Sequence, residues 1–173
     1  MKADIIIDHE SQKVKLILDW KAGNIGEQLT ADEAEEEVKL IEQASREANR
    51  EAFRQWLMQF ECHENVIVLD GKTYRFKMVS EKKFLTKFGV ITVSRRIFQQ
   101  DNGGQSFIPL DVAWEMDGEF ATRDVRECVL YMSALMSPSD VETCLQKAGL
   151  LIRLSRSRVK RLTPLPESGL RKR

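Results

Sequence analysis

Between Asp4 and Trp20, β-branched and polar residues alternate around a polar break at His9 to Gln12, and this period of two predicts two short strands. Past Thr30 the period changes. Thr30-Ala31-Asp32-Glu33 fits a capping box, in which the Thr30 hydroxyl takes one orphan backbone N–H and the Glu33 carboxylate reaches back to another. From Ala31 to about Phe60 the chain has no Gly or Pro, and Val38, Ile41, Ala44, Ala48, Ala52, Trp56 and Phe60 recur at helical spacing, which predicts one long helix. About 30 helical residues extend roughly 45 Å at 1.5 Å per residue, more than a domain of this size needs. That length makes the helix a candidate for homodimerisation through residues 30–60.

After Glu64 the pattern returns to strands. Val66 to Leu69, the Asp70-Gly71 turn and Tyr74 to Val79 predict a hairpin. Phe84 to Phe88, Gly89 and the run Val90 to Phe98 predict a second pair, and Asp101-Asn102-Gly103-Gly104 turns the chain into Ser106 to Ile108. From Ala121 the spacing is again helical: Val125, Val129, Met132 and Met136 mark one helix. Val141, Cys144, Leu145 and Ala148 mark a second after Ser137-Pro138, and Arg156 to Leu162 form a third, with Ser155 as N-cap and Pro164 as stop.

Charge sharpens this outline. The chain is neutral overall, yet residues 1–64 hold 15 acids and 8 bases, whereas residues 65–173 hold 12 acids and 19 bases. Eight Lys or Arg face the single acid Glu167 between residues 150 and 173, the local composition of a polyanion-binding tail. No apolar run approaches the roughly 18–20 residues of a membrane span, and Met1-Lys2-Ala3-Asp4 meets an acid too early for a secretory signal, so the expected location is the cytoplasm. The three cysteines, Cys62, Cys128 and Cys144, are odd in number and widely spaced, and are read as reduced thiols. Cys62-His63 lacks a second ligand pair, so no metal site and no cofactor are expected.

The three predicted C-terminal helices, with a tight turn from Gly149 to Leu154 before the last, have the layout of a helix-turn-helix DNA reader. Leu154, Val159 and Leu162 would seat the third helix, leaving Arg156, Ser157, Arg158, Lys160 and Arg161 to contact duplex DNA, with Arg153 and Ser155 at its entrance. Arginine pairs bidentately with guanine edges, whereas Lys, Ser and helix N-termini suit phosphates. Arg95 and Arg96 are weaker phosphate candidates, and solvent-facing strand residues would look the same. No phosphate loop, HExxH motif or activated nucleophile is found, and Asp70, Asp111, Glu115, Asp117 and Glu119 read as turn and loop acids, so no catalytic residues are expected.

The segment Phe88-Gly89-Val90-Ile91-Thr92-Val93-Ser94-Arg95-Arg96-Ile97-Phe98, followed by Phe107-Ile108-Pro109-Leu110-Asp111, resembles the front region of insertion-sequence transposases of the ISKra group. Gly149 to Val159 is similar to the step into the recognition helix of that family. The likeness spans roughly residues 70–163 and departs at Val112-Ala113-Trp114-Glu115-Met116, where the family has a glycine. It implies recognition of the terminal inverted repeats of a mobile element, in the bacterial cytoplasm at the nucleoid. The family's ribonuclease-H-like catalytic domain would follow this region, so the resemblance implies a truncated, non-enzymatic front portion.

Together these readings predict an α+β class: a long N-terminal helix, a small antiparallel sheet and a C-terminal trihelical helix-turn-helix. The expected divisions are 1–64 (strands and acidic helix), 65–118 (β region), 119–163 (DNA-binding region) and 164–173 (basic tail). The expected partners are double-stranded DNA and a second copy through helix 30–60, with no membrane. A protein-interaction subunit, in which the basic tail merely solubilises, and a free-standing regulator derived from a transposase remain the alternative readings.

Overall fold

The computed structural model describes residues 2–8, 10–11, 13–19, 30–147 and 156–162. Strands β1 (Lys2–Asp8) and β2 (Lys13–Asp19) pair antiparallel as a hairpin, Ile5 opposite Leu16 and Ile7 opposite Val14. Helix α1 (Ala31–Met58) follows. Its start is set locally: Glu33 donates its backbone N–H to the Thr30 hydroxyl, and the Thr30 backbone N–H donates to the Glu33 carboxylate at 2.9 Å.

A four-stranded antiparallel sheet comes next, in the order β3 (Val66–Leu69), β4 (Lys72–Thr86), β5 (Gly89–Gln100) and β6 (Ser106–Phe107). Asp70 and Gly71, at φ 49° and 73°, make the tight turn between β3 and β4. Strand β4 is one continuous element through Ser80-Glu81-Lys82-Lys83, a stretch that the hydrophobic pattern left out of both expected strands. Its polar residues are carried by pairing with β5 along the whole length, interrupted only by a bulge between Phe76 and Met78. Pro109 opens a short helix, α2 (Pro109–Ala113), where the motif reading had only a step, because proline tolerates the first helical position. Glu115 just after it takes φ 57°, a left-handed conformation, in the segment where the resembled family has a glycine.

Helices α3 (Arg123–Leu135), α4 (Pro138–Lys147) and α5 (Arg156–Leu162) complete the described chain. Two cores hold it together, and adjacent residues of β4 divide between them. Phe84 points to one side, into a cluster with Leu57, Ile91, Val93, Leu110 and Met116. Leu85 points to the other, into a cluster with Ala121, Val125, Val129, Val141, Leu145, Val159 and Leu162. Alternation along a strand is the reason, since successive side chains leave on opposite faces. The backbone of Leu85 also pairs outward: its N–H donates to the Phe120 carbonyl at 2.8 Å, and its carbonyl accepts from the Thr122 N–H at 2.9 Å.

The expected class is corrected by this architecture, which is mixed α/β with two separate sheets. The helix is not the N-terminal element, because a hairpin precedes it and packs against it. Nor do the described residues form a free-standing trihelical helix-turn-helix: the core of α3–α5 includes Leu85 of the sheet, so the helices are built onto β4. The turn at residues 149–154, on which that motif depends, lies outside the described residues. Among the described residues no helix is long and apolar enough to cross a membrane.

Candidate nucleic-acid interface

The last described helix is seated by two side chains. Val159 and Leu162, three residues apart and therefore on one helical face, are buried in the core that α3, α4 and β4 share. Ser157 and Arg161 of the same helix are exposed. Arg161 lies with its guanidinium carbon 5.5 Å from the centre of the Phe120 ring, a cation–π distance. Arg156, Arg158 and Lys160 belong to α5 by its backbone, their side chains being outside the described part of the structure, and Arg153 and Ser155 lie outside it altogether.

Beside Arg161 is a concavity of about 450 Å³ bordered by Phe120, Val90 and Lys83. Lys83 is exposed on β4, so two cations from different elements flank an aromatic and an aliphatic surface. Sequence reasoning passed over Lys83, because Lys82-Lys83 fell between expected strands. Had the strand been taken as continuous, alternation would have set Lys83 on the face opposite Phe84, the face that Leu85 shares.

Arg95, expected among the DNA contacts, is turned into the protein instead. Its side chain is 7% exposed and forms an ion pair with Asp111, itself 2% exposed. Lys82 approaches the same carboxylate at 3.4 Å. Both cations also stand against the Phe84 ring, Lys82 at 4.6 Å and Arg95 at 5.7 Å from its centre. The strand motif and the Pro109-Leu110-Asp111 step are therefore two halves of one internal clamp that ties α2 to β4 and β5. A period-two signal for this was present: Ile91, Val93 and Arg95 are alternate residues and all three are buried.

Arg96, the next residue, leaves on the opposite face and is held by neighbours. It donates to the His63 carbonyl and to the Asn65 side-chain oxygen, each at 3.1 Å, and its guanidinium carbon lies 4.1 Å from the Phe76 ring centre. The buried Glu61 accepts its backbone N–H at 3.2 Å. These contacts hold the segment after α1 onto the sheet, which gives Arg96 a packing role.

A second concavity, about 480 Å³, is walled by Phe53, Phe88, Trp114 and Met116 and rimmed by Lys87, Arg123, Asp124 and Glu127. Its rim charge is mixed. Arg123 donates to Glu127 at 2.8 Å, and that bond raises the guanidinium pKa above its ordinary value. The cationic surface is thus the one at α5. No group of three or more His, Cys, Asp or Glu among the described residues is placed to hold a metal ion. Comparison with models of known families, with curated proteins and with solved structures found no match to this chain.

Proposed function

We propose that this chain is a DNA-binding module, the front portion of an insertion-sequence transposase that recognises the terminal repeats of its element. One observation carries the reading: a short helix with four basic residues is anchored by Val159 and Leu162, and its exposed Arg161 shares an aromatic-floored concavity with Lys83. Anchoring matters because a cation on a seated helix is held in place before it meets the duplex, so less conformational entropy is lost on binding. Phosphates neutralised by Lys83 and Arg161 would set register, and base edges would be read by Arg156 or Arg158 of α5. The resemblance to the ISKra group supplies the target class, since those proteins act at element ends.

Fluorescence anisotropy with a labelled duplex tests it. Affinity should fall steeply with salt, each phosphate contact contributing about −0.9 to the log–log slope. Lys83→Glu and Arg161→Glu should each weaken binding about ten-fold and flatten that slope by about 1, with the far-ultraviolet circular dichroism unchanged. Binding that ignores both salt and these reversals would remove the proposal.

A further inference from the structure

The long helix has a stripe whose bulky ends the described residues leave open. Val38, Ile41, Ser45, Ala48 and Ala52 follow heptad spacing on one face of α1, and Trp56 extends it. Val38 is 54% exposed, Ile41 40% and Trp56 51%, with Phe60 beyond the helix end at 51%. The middle of the stripe is small and its ends are bulky, so two such helices could approach closely at the centre while burying large side chains at both ends. A lone helix gains nothing from four large exposed apolar groups in a row.

Charge selects the occupant and its direction. Ala31 to Ala44 contains six acids and one base, whereas Ser45 to Met58 contains two acids and three bases. A parallel pair would set the two acidic halves side by side. An antiparallel pair sets each acidic half along the basic half of its partner, next to the positively charged portion that begins at residue 65. Bulky residues match in that arrangement as well: Ile41 meets Trp56 and Val38 meets Phe60 about a two-fold axis near Ala48 or Asn49.

We infer that α1 is the interface of an antiparallel homodimer, with an isologous contact about that axis. This deepens the expectation of a dimer through residues 30–60 by giving it a direction and a register, and it does not depend on the DNA reading.

The test uses the full chain without DNA. Sedimentation equilibrium should show a concentration-dependent dimer, and Val38→Asp and Trp56→Asp should each weaken it at least about ten-fold, because each places a charge in an apolar contact. Gln43→Glu, on the far side of the helix, should leave the constant unchanged. Direction is read from spin labels at Ile41→Cys in a chain with Cys62, Cys128 and Cys144 changed to serine. Fifteen helical residues separate position 41 from its two-fold image along the axis, and the helices lie up to about 10 Å apart, so the two labels should be about 24 Å from each other, against about 10 Å in a parallel pair. A monomer at every concentration, a dimer insensitive to both aspartates, or the shorter label distance would each overturn the inference. Loss of DNA binding with the dimer intact would instead count only against the function proposed above.

Discussion

The described residues from 53 to 162 fold around two clusters of buried side chains, whereas from Lys2 to Ala52 the one buried side chain among the described residues is Ala44. The two regions have comparable local regularity. In the N-terminal arm, residues 2–52, β1 and β2 pair over seven residues each, and α1 begins at a complete capping box; residues from 53 onward make the body. Yet the inner face of the hairpin, Ile5, Val14, Leu16 and Leu18, is only half-buried against the helix. A two-stranded hairpin is marginal by itself in water, and so is a helix whose apolar stripe is open. Regular hydrogen bonding is thus enough to draw the elements of the arm. Depth of burial, as around Phe84 and Leu85, is what makes the body a stable unit, and the described residues of the arm lack it.

The largest effect should come from the clamp. Asp111→Ala leaves Arg95 buried without its carboxylate and should cost about 3–5 kcal/mol, lowering the Tm of thermal unfolding by roughly 10 °C. Leu16→Ala, its counterpart in the arm, should cost no more than about 1–2 kcal/mol, because that side chain is half-exposed to begin with. Equal losses would erase the distinction between arm and body.

An intermediate effect belongs where the two regions meet. Gly89 turns β4 into β5 at φ 109°, a backbone conformation that side chains rarely adopt, and an added Cβ would meet Arg50 of α1 at 3.4 Å. Gly89→Ala should therefore cost about 1–3 kcal/mol. Hydrogen exchange should quicken in the second half of α1 and in the β4–β5 turn, with the β1–β2 hairpin unaffected. Faster exchange in the hairpin as well would mean that the strain spreads through the arm.

The smallest effect is confined to the arm. Hydrogen bonds from the Thr30 backbone N–H, and then from its hydroxyl, hold the Glu33 carboxyl below its ordinary value of 4.5. A depressed folded-state pKa stabilises the helix start above the unfolded value and loses that contribution as pH falls through the folded one. Acid titration followed by amide exchange should thus release the first turn of α1 before the sheet. Glu33→Gln should abolish that pH dependence while leaving exchange in β4 and β5 as it was.

Much of this fold was legible because its causes are local. A polar break between alternating runs marks a hairpin, a Thr and a Glu three apart mark a helix start, and Asp-Gly marks a turn, each within a few residues. The clamp was not legible in that way. Arg95 and Asp111 lie sixteen residues apart, and the composition of a strand does not say which of two adjacent arginines meets a buried acid. Arg95 and Arg96 look equivalent in the sequence and part company only when α2 closes over one face of the sheet. Lys83 was lost for a related reason: a charged stretch reads as a loop until a long partner strand supplies its hydrogen bonds.

By itself, then, the amino-acid order determined where the strands, turns and helix starts fall and which stretches are acidic or basic, since those depend on neighbours a few bonds away. Tertiary structure alone decided that the strand-and-PLD motif is an internal ion pair, that β4 serves two cores at once, and that Lys83 joins Arg161 beside Phe120. Burial and charge pairing act through space, and a side chain acquires its environment only when distant segments pack around it.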